Sequence, residues 1–356
     1  MPATLYHPIY LFVVLILTLL FLQPYTQRMI TNEQRISVAY HTLSFILATC
    51  FALFIGFRPI CREFVDMIDY DAIYSSLMGS RFYFDYDVDN LIYDNWFAFM
   101  ASQCVPVKTF FLIISFVYFG MIWLACRKLF PKDTLLAFVV YLAAFSTFSY
   151  ATNGMKAGMA ASIFLVALAY YEKPLISIPI ALFTYGMHHS MLLVIVAYFC
   201  VLIIKKPKFY FIIWCVSLCV AACHITWFQH FFAGFTDEHG AEYLLGSRNS
   251  GFRIDFILYS SVPVIVGYLM IFKYKISSIT YDFILSLYLL TNSVWMLCMY
   301  SNFTNRISYL SWFIYPIVLL YPFVNITWST RQSIYLRYVV YGHLAFTLFM
   351  NFVYYR

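Results

Sequence analysis

Apolar stretches of about twenty residues, the length that crosses a bilayer as a helix, recur along most of this chain of 356 residues. Hydrophobic residues make up 63% of the sequence and charged residues only 11%, which is less than half of the ~25% typical of soluble domains. The stretches are continuous rather than alternating, which argues against a transmembrane β-barrel. The sequence therefore predicts an all-α, polytopic integral membrane protein.

The positions of the apolar stretches predict about twelve transmembrane helices in one transmembrane domain over residues 1–356. The predicted spans are 7–23, 36–57, 107–126, 134–150, 155–171, 175–186, 190–204, 209–228, 254–272, 279–300, 307–324 and 336–353. No basic region precedes the first stretch and no small-residue cleavage site follows it, so we expect a retained span rather than a signal peptide.

The orientation follows from the basic residues of the short loops. If Arg127, Lys128 and Lys132 are cytoplasmic, more than half of the 22 basic residues fall on that side, as the positive-inside rule requires. Two longer segments, 58–106 and 229–253, then become extracytoplasmic loops whose aromatic and acidic residues favour short interfacial helices. The net charge of +6 reflects cationic loops beside anionic lipid headgroups, and no motif points to nucleic acid.

Ionisable groups near a span are costly unless they face a cavity or a partner, so those at the outer helix ends are candidate functional residues. Asn153 and Gly154 interrupt the apolar pattern just before Lys156, and helix N-terminal amides beside a lysine form an anion site. Arg306 presents a fork that matches phosphate oxygens. Both cations could instead extend to lipid phosphate, so a structural interpretation stays open.

Two adjacent histidines, His188 and His189, lie between two apolar stretches on the same side. A neutral imidazole accepts a proton near pH 7 and could therefore act as a general base on a hydroxyl group. Adjacent residues of a helix point in different directions, so we expect at most one of the two to face the same site as Lys156. An interfacial histidine bonded to a backbone carbonyl is the alternative.

The acidic segment "DYDVDN" does not fit a calcium loop, because Asn90 stands where glycine is required and Trp96 where the bidentate glutamate belongs. The sequence contains no phosphate-binding glycine loop, no G-x-S-x-G elbow and no H-E-x-x-H helix. These absences argue against nucleotide hydrolases, serine esterases and zinc proteases. We predict neither a metal site nor a cofactor.

Several segments between residues 56 and 322 resemble, in order, the EpsG family of bacterial exopolysaccharide and capsule proteins, which is related to Wzy-type polymerases. The segments are "GFRP", "VDMIDYDAIY", "LIYDNWFAFMAS", "NGMKAGMAASIFLVALAYYEKP", "MHHSMLL" and "NRISYLSWFIYPIVLLYP". The most specific part is the stretch 153–193. The family usually has arginine at the position of Lys156, and its histidine aligns with His188 rather than His189.

The resemblance implies a GT-C-like glycosyltransferase on the outer face of the bacterial cytoplasmic (inner) membrane. It would transfer glycan from an undecaprenyl pyrophosphate-linked donor to a hydroxyl group of a lipid-linked acceptor repeat unit, without a metal or a nucleotide. The implied partners are the lipid-linked oligosaccharide, the growing polysaccharide, membrane lipids, a chain-length regulator and a flippase. A flippase of lipid-linked oligosaccharide and a membrane acyltransferase are the alternative functions.

The roles implied for single residues follow the needs of this reaction. The base would be His188 or an outer carboxylate such as Asp69, and Arg306 would neutralise the leaving pyrophosphate. The further residues expected to bind pyrophosphate or sugar are Lys156, Arg58, Asn153, His189, Tyr70 and Tyr74.

Overall fold

The computed structural model describes residues 1–23, 38–233, 242, 244–245 and 251–355. Helices make up 77% of the structure, and no strand occurs among these residues. The all-α prediction is therefore confirmed. Two predicted features lie partly outside the described residues: the start of the span 36–57 and most of the loop 229–253.

The helices of the first part of the chain are α1 (Tyr6–Leu22), α2 (Val38–Gly56), α3 (Val65–Leu77), α4 (Leu91–Ser102), α5 (Val107–Leu129), α6 (Thr134–Leu142), α7 (Thr147–Thr152), α8 (Met155–Ala169) and α9 (Pro174–Met187). Those of the second part are α10 (Met191–Ile203), α11 (Pro207–Ala222), α12 (Trp227–Ala233), α13 (Ile254–Tyr268), α14 (Ile279–Leu297), α15 (Thr304–Trp312), α16 (Tyr315–Val324) and α17 (Gln332–Phe349).

Four helical stretches of the described chain are long and apolar enough to cross a membrane: Ala3–Leu22, Val107–Leu129, Ile254–Lys273 and Thr304–Val324. Several shorter helices, among them α8, α9 and α10, are also apolar. The helices are thus those of a membrane protein. The number of about twelve spans and the GT-C-like fold stay predictions.

Two predicted spans are each interrupted by a break of four residues. The span 134–150 is divided between α6 and α7, and in the gap the Thr147 hydroxyl donates to the Tyr141 carbonyl at 2.7 Å. The span 209–228 is divided between α11 and α12, which are bent by 110°. The bend follows from the backbone of His224, whose φ of 56° lies in the left-handed region that ends a helix.

The contacts divide the chain into two compact units. The first unit comprises residues 1–192, 323–325 and 329–356, and the second comprises residues 193–322 and 326–328. In the first unit α5 packs against α2 and α8, and α9 packs against α8 and α4. The aromatic rings of Tyr74 and Phe97 pack together at 5.0 Å and join α3 to α4.

Two glycines allow close helix contacts in the first unit. A Cβ atom at Gly158 would lie 2.5 Å from the carbonyl oxygen of Tyr150, so only glycine lets α8 approach α7 this closely. A Cβ atom at Gly186 would lie 2.6 Å from the side chain of Ile92, where α9 meets α4. The first contact holds the start of α8 against α7, and the second brings the end of α9 to the start of α4.

The second unit contains a buried polar network across four helices, which we call the closed network. The amide of Asn292 on α14 donates to the hydroxyls of Ser260 at 3.1 Å and Ser311 at 3.0 Å, and it accepts from the Trp214 indole at 2.9 Å. The Trp312 indole also donates to the Ser260 hydroxyl, at 2.8 Å. All five residues are buried. Such paired polar groups hold apolar helices together.

Candidate functional site

An ion pair joins the start of α8 to the first turn of α4. The Nζ of Lys156 donates to Oδ1 of Asp94 at 2.8 Å, and it lies 4.9 Å from the centre of the Tyr93 ring. The side chains of Lys156 and Asp94 are 17% and 28% exposed, so the pair is reached by solvent but is not fully solvated. Lys156 is placed there by the short link between α7 and α8.

Asp94 is also tied to the start of its own helix. Its Oδ2 accepts from the backbone N–H of Asn90 at 3.1 Å and from the side-chain amide of Asn90 at 3.2 Å. The Oδ1 of Asn90 in turn accepts from the backbone N–H of His189 at 2.9 Å. Lys156, Asp94, Asn90 and His189 therefore form one network, which we call the open network because it reaches solvent. It joins three segments that are far apart in the sequence.

The two histidines stack where α9 ends, with ring centres 5.1 Å apart. The Nδ1 of His188 accepts from the backbone N–H of Ser190 at 3.2 Å and lies 2.7 Å from the Ser190 hydroxyl. A backbone N–H can only donate, so the neutral ring of His188 carries its proton on Nε2. This tautomer makes Nε2 a donor and argues against the base role expected from the sequence. The Nδ1 of His189 is buried without a hydrogen-bond partner among the described residues.

A half-open pocket of about 420 Å³ lies beside the open network, within the size range of ligand sites. We call it the α3–α4 pocket. Its lining residues are Tyr70, Ile73, Leu77, Ser80, Arg81, Phe82, Tyr83, Asp85, Val88, Tyr93, Asp94, Asn95, Phe97, Ala98 and Lys156.

The loop before α4 is fixed by Asn95, whose side chain accepts from the Asp85 backbone N–H at 2.8 Å and donates to the Asp85 carbonyl at 2.7 Å. Burial, with smaller contributions from nearby Tyr70 and Asp94, raises the pKa of Tyr93, so this wall of the pocket stays neutral.

Arg58 lies close to the link before Lys156, but it is only 2% exposed. Its guanidinium donates to the carbonyls of Ile55 at 2.8 Å and Thr152 at 3.0 Å, and no carboxylate pairs with it among the described residues. Burial lowers the pKa of Arg58 to about 9, so the group remains charged at neutral pH. In this structure Arg58 positions the link between α7 and α8 and has no surface for a ligand.

Four further residues that the sequence predicts for the site differ in burial and in their contacts. Tyr70 lines the pocket, whereas Tyr74 is fully buried and donates its hydroxyl to the Val105 carbonyl at 2.9 Å. Tyr74 therefore packs α3 against its neighbours and offers no surface to a sugar. Asp69 is exposed on α3 and does not line the pocket. Asn153 ends α7, and its Oδ1 is buried without a hydrogen-bond partner among the described residues.

Arg306 belongs to the second unit, where it lies exposed in the first turn of α15. Its guanidinium is 5.3 Å from the centre of the Phe303 ring. Phe303 precedes α15 with a left-handed φ of 50°. In the part of the chain that the structure describes, no group of three or more histidine, cysteine, aspartate or glutamate residues is arranged to hold a metal ion.

Two residues of the open network have no role in the sequence-based prediction. Asp94 is one of several acidic residues in the same loop, and only its contact with Lys156, 62 positions away, distinguishes it. The place of Asn90 before α4 could be predicted from the sequence, because asparagine is a preferred residue immediately before the first turn of a helix. The pocket residues Arg81 and Tyr83 lie in an irregular segment without any pattern.

Comparison with known proteins decides the family. The model of the EpsG family matches residues 41–356, which is most of the chain. The chain belongs to the EpsG family. This family consists of Wzy-like polysaccharide polymerases, so the resemblance seen in the sequence is confirmed. Neither the search of curated proteins nor the search of solved structures finds a match. EpsG membership and the apolar helices together indicate a membrane-embedded polysaccharide polymerase of the glycosyltransferase type.

Proposed function

We propose that this EpsG protein transfers glycan from a polyprenyl (undecaprenyl) pyrophosphate-linked donor to a hydroxyl group of a lipid-linked acceptor repeat unit. The reaction takes place on the outer face of the bacterial inner membrane. Membership of the EpsG family is the observation that carries this proposal. The open network supports it, because its residues lie at the outer helix ends of the predicted topology and beside a pocket.

The reaction makes three chemical demands on the protein. A hydroxyl group of the acceptor must lose its proton, the oxocarbenium-like centre of the donor must be stabilised, and the leaving pyrophosphate must be neutralised. The donor already contains the high-energy bond, so no nucleotide is needed. Fixed cations and hydrogen-bond donors can neutralise the pyrophosphate.

In the first unit, Lys156 and His188 are placed to stabilise the leaving pyrophosphate. The ammonium group of Lys156 has three N–H donors, and the contact with Asp94 at 2.8 Å uses one of them. The neutral ring of His188 donates from Nε2, as described above, and a donor suits a phosphate oxygen better than it suits a hydroxyl group that must lose its proton. Asn153 and His189 are also proposed to bind the pyrophosphate, Asn153 as a donor through its side-chain NH2 group and His189 through an imidazole N–H.

Two further cations are proposed to act in different ways. Arg58 is too buried to touch the substrate, so we assign it a positioning role for the segment that carries Lys156. Arg306 is exposed and carries the fork that binds two phosphate oxygens at once, so it is proposed as a phosphate ligand. Tyr74 is fully buried and is therefore not proposed as a sugar ligand. Asp69 has no contact that supports a role as base.

Deleting the gene and analysing the lipid-linked sugars tests this function. A polymerase predicts that single repeat units accumulate on the outer face of the membrane. Repeat units trapped on the inner face would instead indicate a flippase, and full-length polymer without acyl groups would indicate an acyltransferase. Either of these results would contradict the proposal.

Complementation of the deletion strain then tests the residues. His188→Ala and Arg306→Ala are expected to insert into the membrane normally and to abolish chain extension. The matched control is His230→Ala, because His230 is an exposed histidine of α12 outside the site. Normal polymer from either site variant would remove that residue from the mechanism.

A further inference from the structure

The α3–α4 pocket has two kinds of walls. Five aromatic residues line it, and the exposed Arg81 and Tyr83 form a cation–π contact of 5.3 Å at its rim. Charged and amide side chains also line it. The aromatic lining residues are Tyr70, Phe82, Tyr83, Tyr93 and Phe97, and the charged or amide residues are Arg81, Asp85, Asp94, Asn95 and Lys156.

This mixture favours a sugar over a lipid tail. The C–H face of a pyranose ring packs against an aromatic ring, while its hydroxyl groups need donors and acceptors at the ring edge. A lipid tail would be penalised by every charged group that it desolvates. Most ligand pockets likewise combine apolar walls with a few placed polar groups. The pocket therefore suits a carbohydrate.

Asp94 is the carboxylate that joins the pocket to the open network. Its Oδ1 accepts from Lys156 at 2.8 Å, and its Oδ2 accepts from Asn90 at 3.1 and 3.2 Å. The side chain is nevertheless 28% exposed, and it lines the pocket. Each carboxylate oxygen has more than one lone pair, so Asp94 can also accept a hydrogen bond from a ligand hydroxyl.

The other carboxylate of the pocket and the nearby histidine are less suited to act as a base. The Asp85 carboxylate caps its own loop, where Oδ1 accepts from the Asp87 backbone N–H at 2.9 Å. His188 presents its lone pair to Ser190 and not to a substrate. Asp94 is the carboxylate of the pocket that also contacts Lys156, the proposed pyrophosphate ligand, so it lies between the pocket and the site proposed for the leaving group.

We propose that the α3–α4 pocket binds the acceptor sugar and that Asp94 is the catalytic base for its hydroxyl group. The inference rests on the proposed polymerase function. The acceptor hydroxyl gives its proton to Asp94 while its oxygen bonds to the anomeric carbon of the donor. The bond from that carbon to the pyrophosphate oxygen breaks, and its electron pair leaves with the pyrophosphate. A direct displacement of this kind inverts the configuration at the anomeric carbon.

Two measurements on purified full-length protein in lipid nanodiscs test the proposal. The first is chain extension with the lipid-linked repeat units that accumulate in the deletion strain. The second is binding of the oligosaccharide that mild acid releases from those lipids. Asp94→Asn is expected to slow extension by about 100-fold or more, the usual loss when a general base is removed, and to leave binding within about twofold. Tyr83→Ala is expected to weaken binding several-fold.

An alternative is that Asp94 affects activity only by pairing with Lys156, and a double variant separates this role from that of a base. In Lys156→Met the ion pair is already lost, so Asp94→Asn added to it can act only through the carboxylate itself. The proposal predicts that the double variant extends chains more slowly than Lys156→Met alone, whereas equal rates would show that Asp94 is only a structural partner. The matched control is Asp89→Asn, because Asp89 is exposed in the same loop and does not line the pocket.

The outcomes distinguish failure of this inference from failure of the proposed function. Full extension by Asp94→Asn, or a new linkage with retained anomeric configuration, would overturn the base role while the polymerase function stands. Unchanged binding in Tyr83→Ala would overturn the assignment of the pocket. Wild-type protein that binds the oligosaccharide but extends no chain would overturn the polymerase function, and the base role with it.

Discussion

The closed network of the second unit and the open network of the first unit are both built from polar side chains in a largely apolar protein. In the closed network the Asn292 amide and the indole N–H groups of Trp214 and Trp312 are paired with protein atoms, and all its members are buried and uncharged. The open network carries an ion pair, is partly exposed and lines a pocket.

The difference shows how to separate structural from functional polar residues in such a chain. A buried polar group is costly unless it is paired, so a fully paired network needs nothing beyond the protein. A charged network that keeps unused donors and acceptors next to a cavity is suited to a ligand. We therefore expect substitutions in the closed network to change stability, and substitutions in the open network to change activity.

Among three substitutions that test this difference, the largest effect is expected for Lys156→Met. The substitution removes a proposed pyrophosphate ligand and the partner of Asp94, so chain extension should fall by about 100-fold, as for other fixed electrostatic groups in active sites. Thermal stability in detergent should change little, because a partly exposed ion pair contributes about 1 kcal/mol or less. The matched control is Lys108→Met, at an exposed lysine near the start of α5, and an equal loss of extension in that variant would refute the assignment.

A smaller effect is expected for Gly158→Ala. The added Cβ would lie 2.5 Å from the Tyr150 carbonyl oxygen, so α8 must move away from α7 at a cost of about 2 kcal/mol. This movement shifts Lys156, two positions earlier, and should lower both the melting temperature and the rate of extension. At Gly120 a Cβ would meet nothing within 4 Å, so Gly120→Ala serves as the control. Equal melting temperatures for the two variants would show that the close contact is unimportant.

The smallest effect is expected for Asn292→Leu. The change leaves the Trp214 indole N–H without its acceptor and should lower the free energy of unfolding by about 1 kcal/mol. Extension per folded molecule should stay within about twofold of the wild type. A large loss of extension at full folding would mean that the closed network takes part in function.

The positions of the helices were predictable from the apolar pattern, because most helices need an apolar surface in a membrane. The predicted spans 155–171 and 279–300 correspond to Met155–Ala169 and Ile279–Leu297. The bend at His224 was not predictable, since neither glycine nor proline marks the left-handed residue. Apolar composition alone cannot show where such a backbone turn occurs.

The site was predictable only in part. Lys156 and His188 stand out because they interrupt apolar stretches, but the role of Asp94 depends on a contact between residues 62 positions apart. Tyr70 and Tyr74 are one helical turn apart on α3, yet one lines the pocket and the other is fully buried. Periodicity predicts that they share a face, and both rings pack against Phe97 of α4. Tyr74 is also covered by the Phe110 ring of α5, a contact that periodicity within α3 cannot show.

The most direct test of the account measures chain extension per folded molecule for Lys156→Met and Asn292→Leu side by side, in nanodiscs and with the same lipid-linked repeat unit. We predict that the first variant is about 100-fold slower than the wild type and that the second is within about twofold of it. Equal rates for the two variants, or a greater loss in Asn292→Leu, would contradict the assignment of function to the open network.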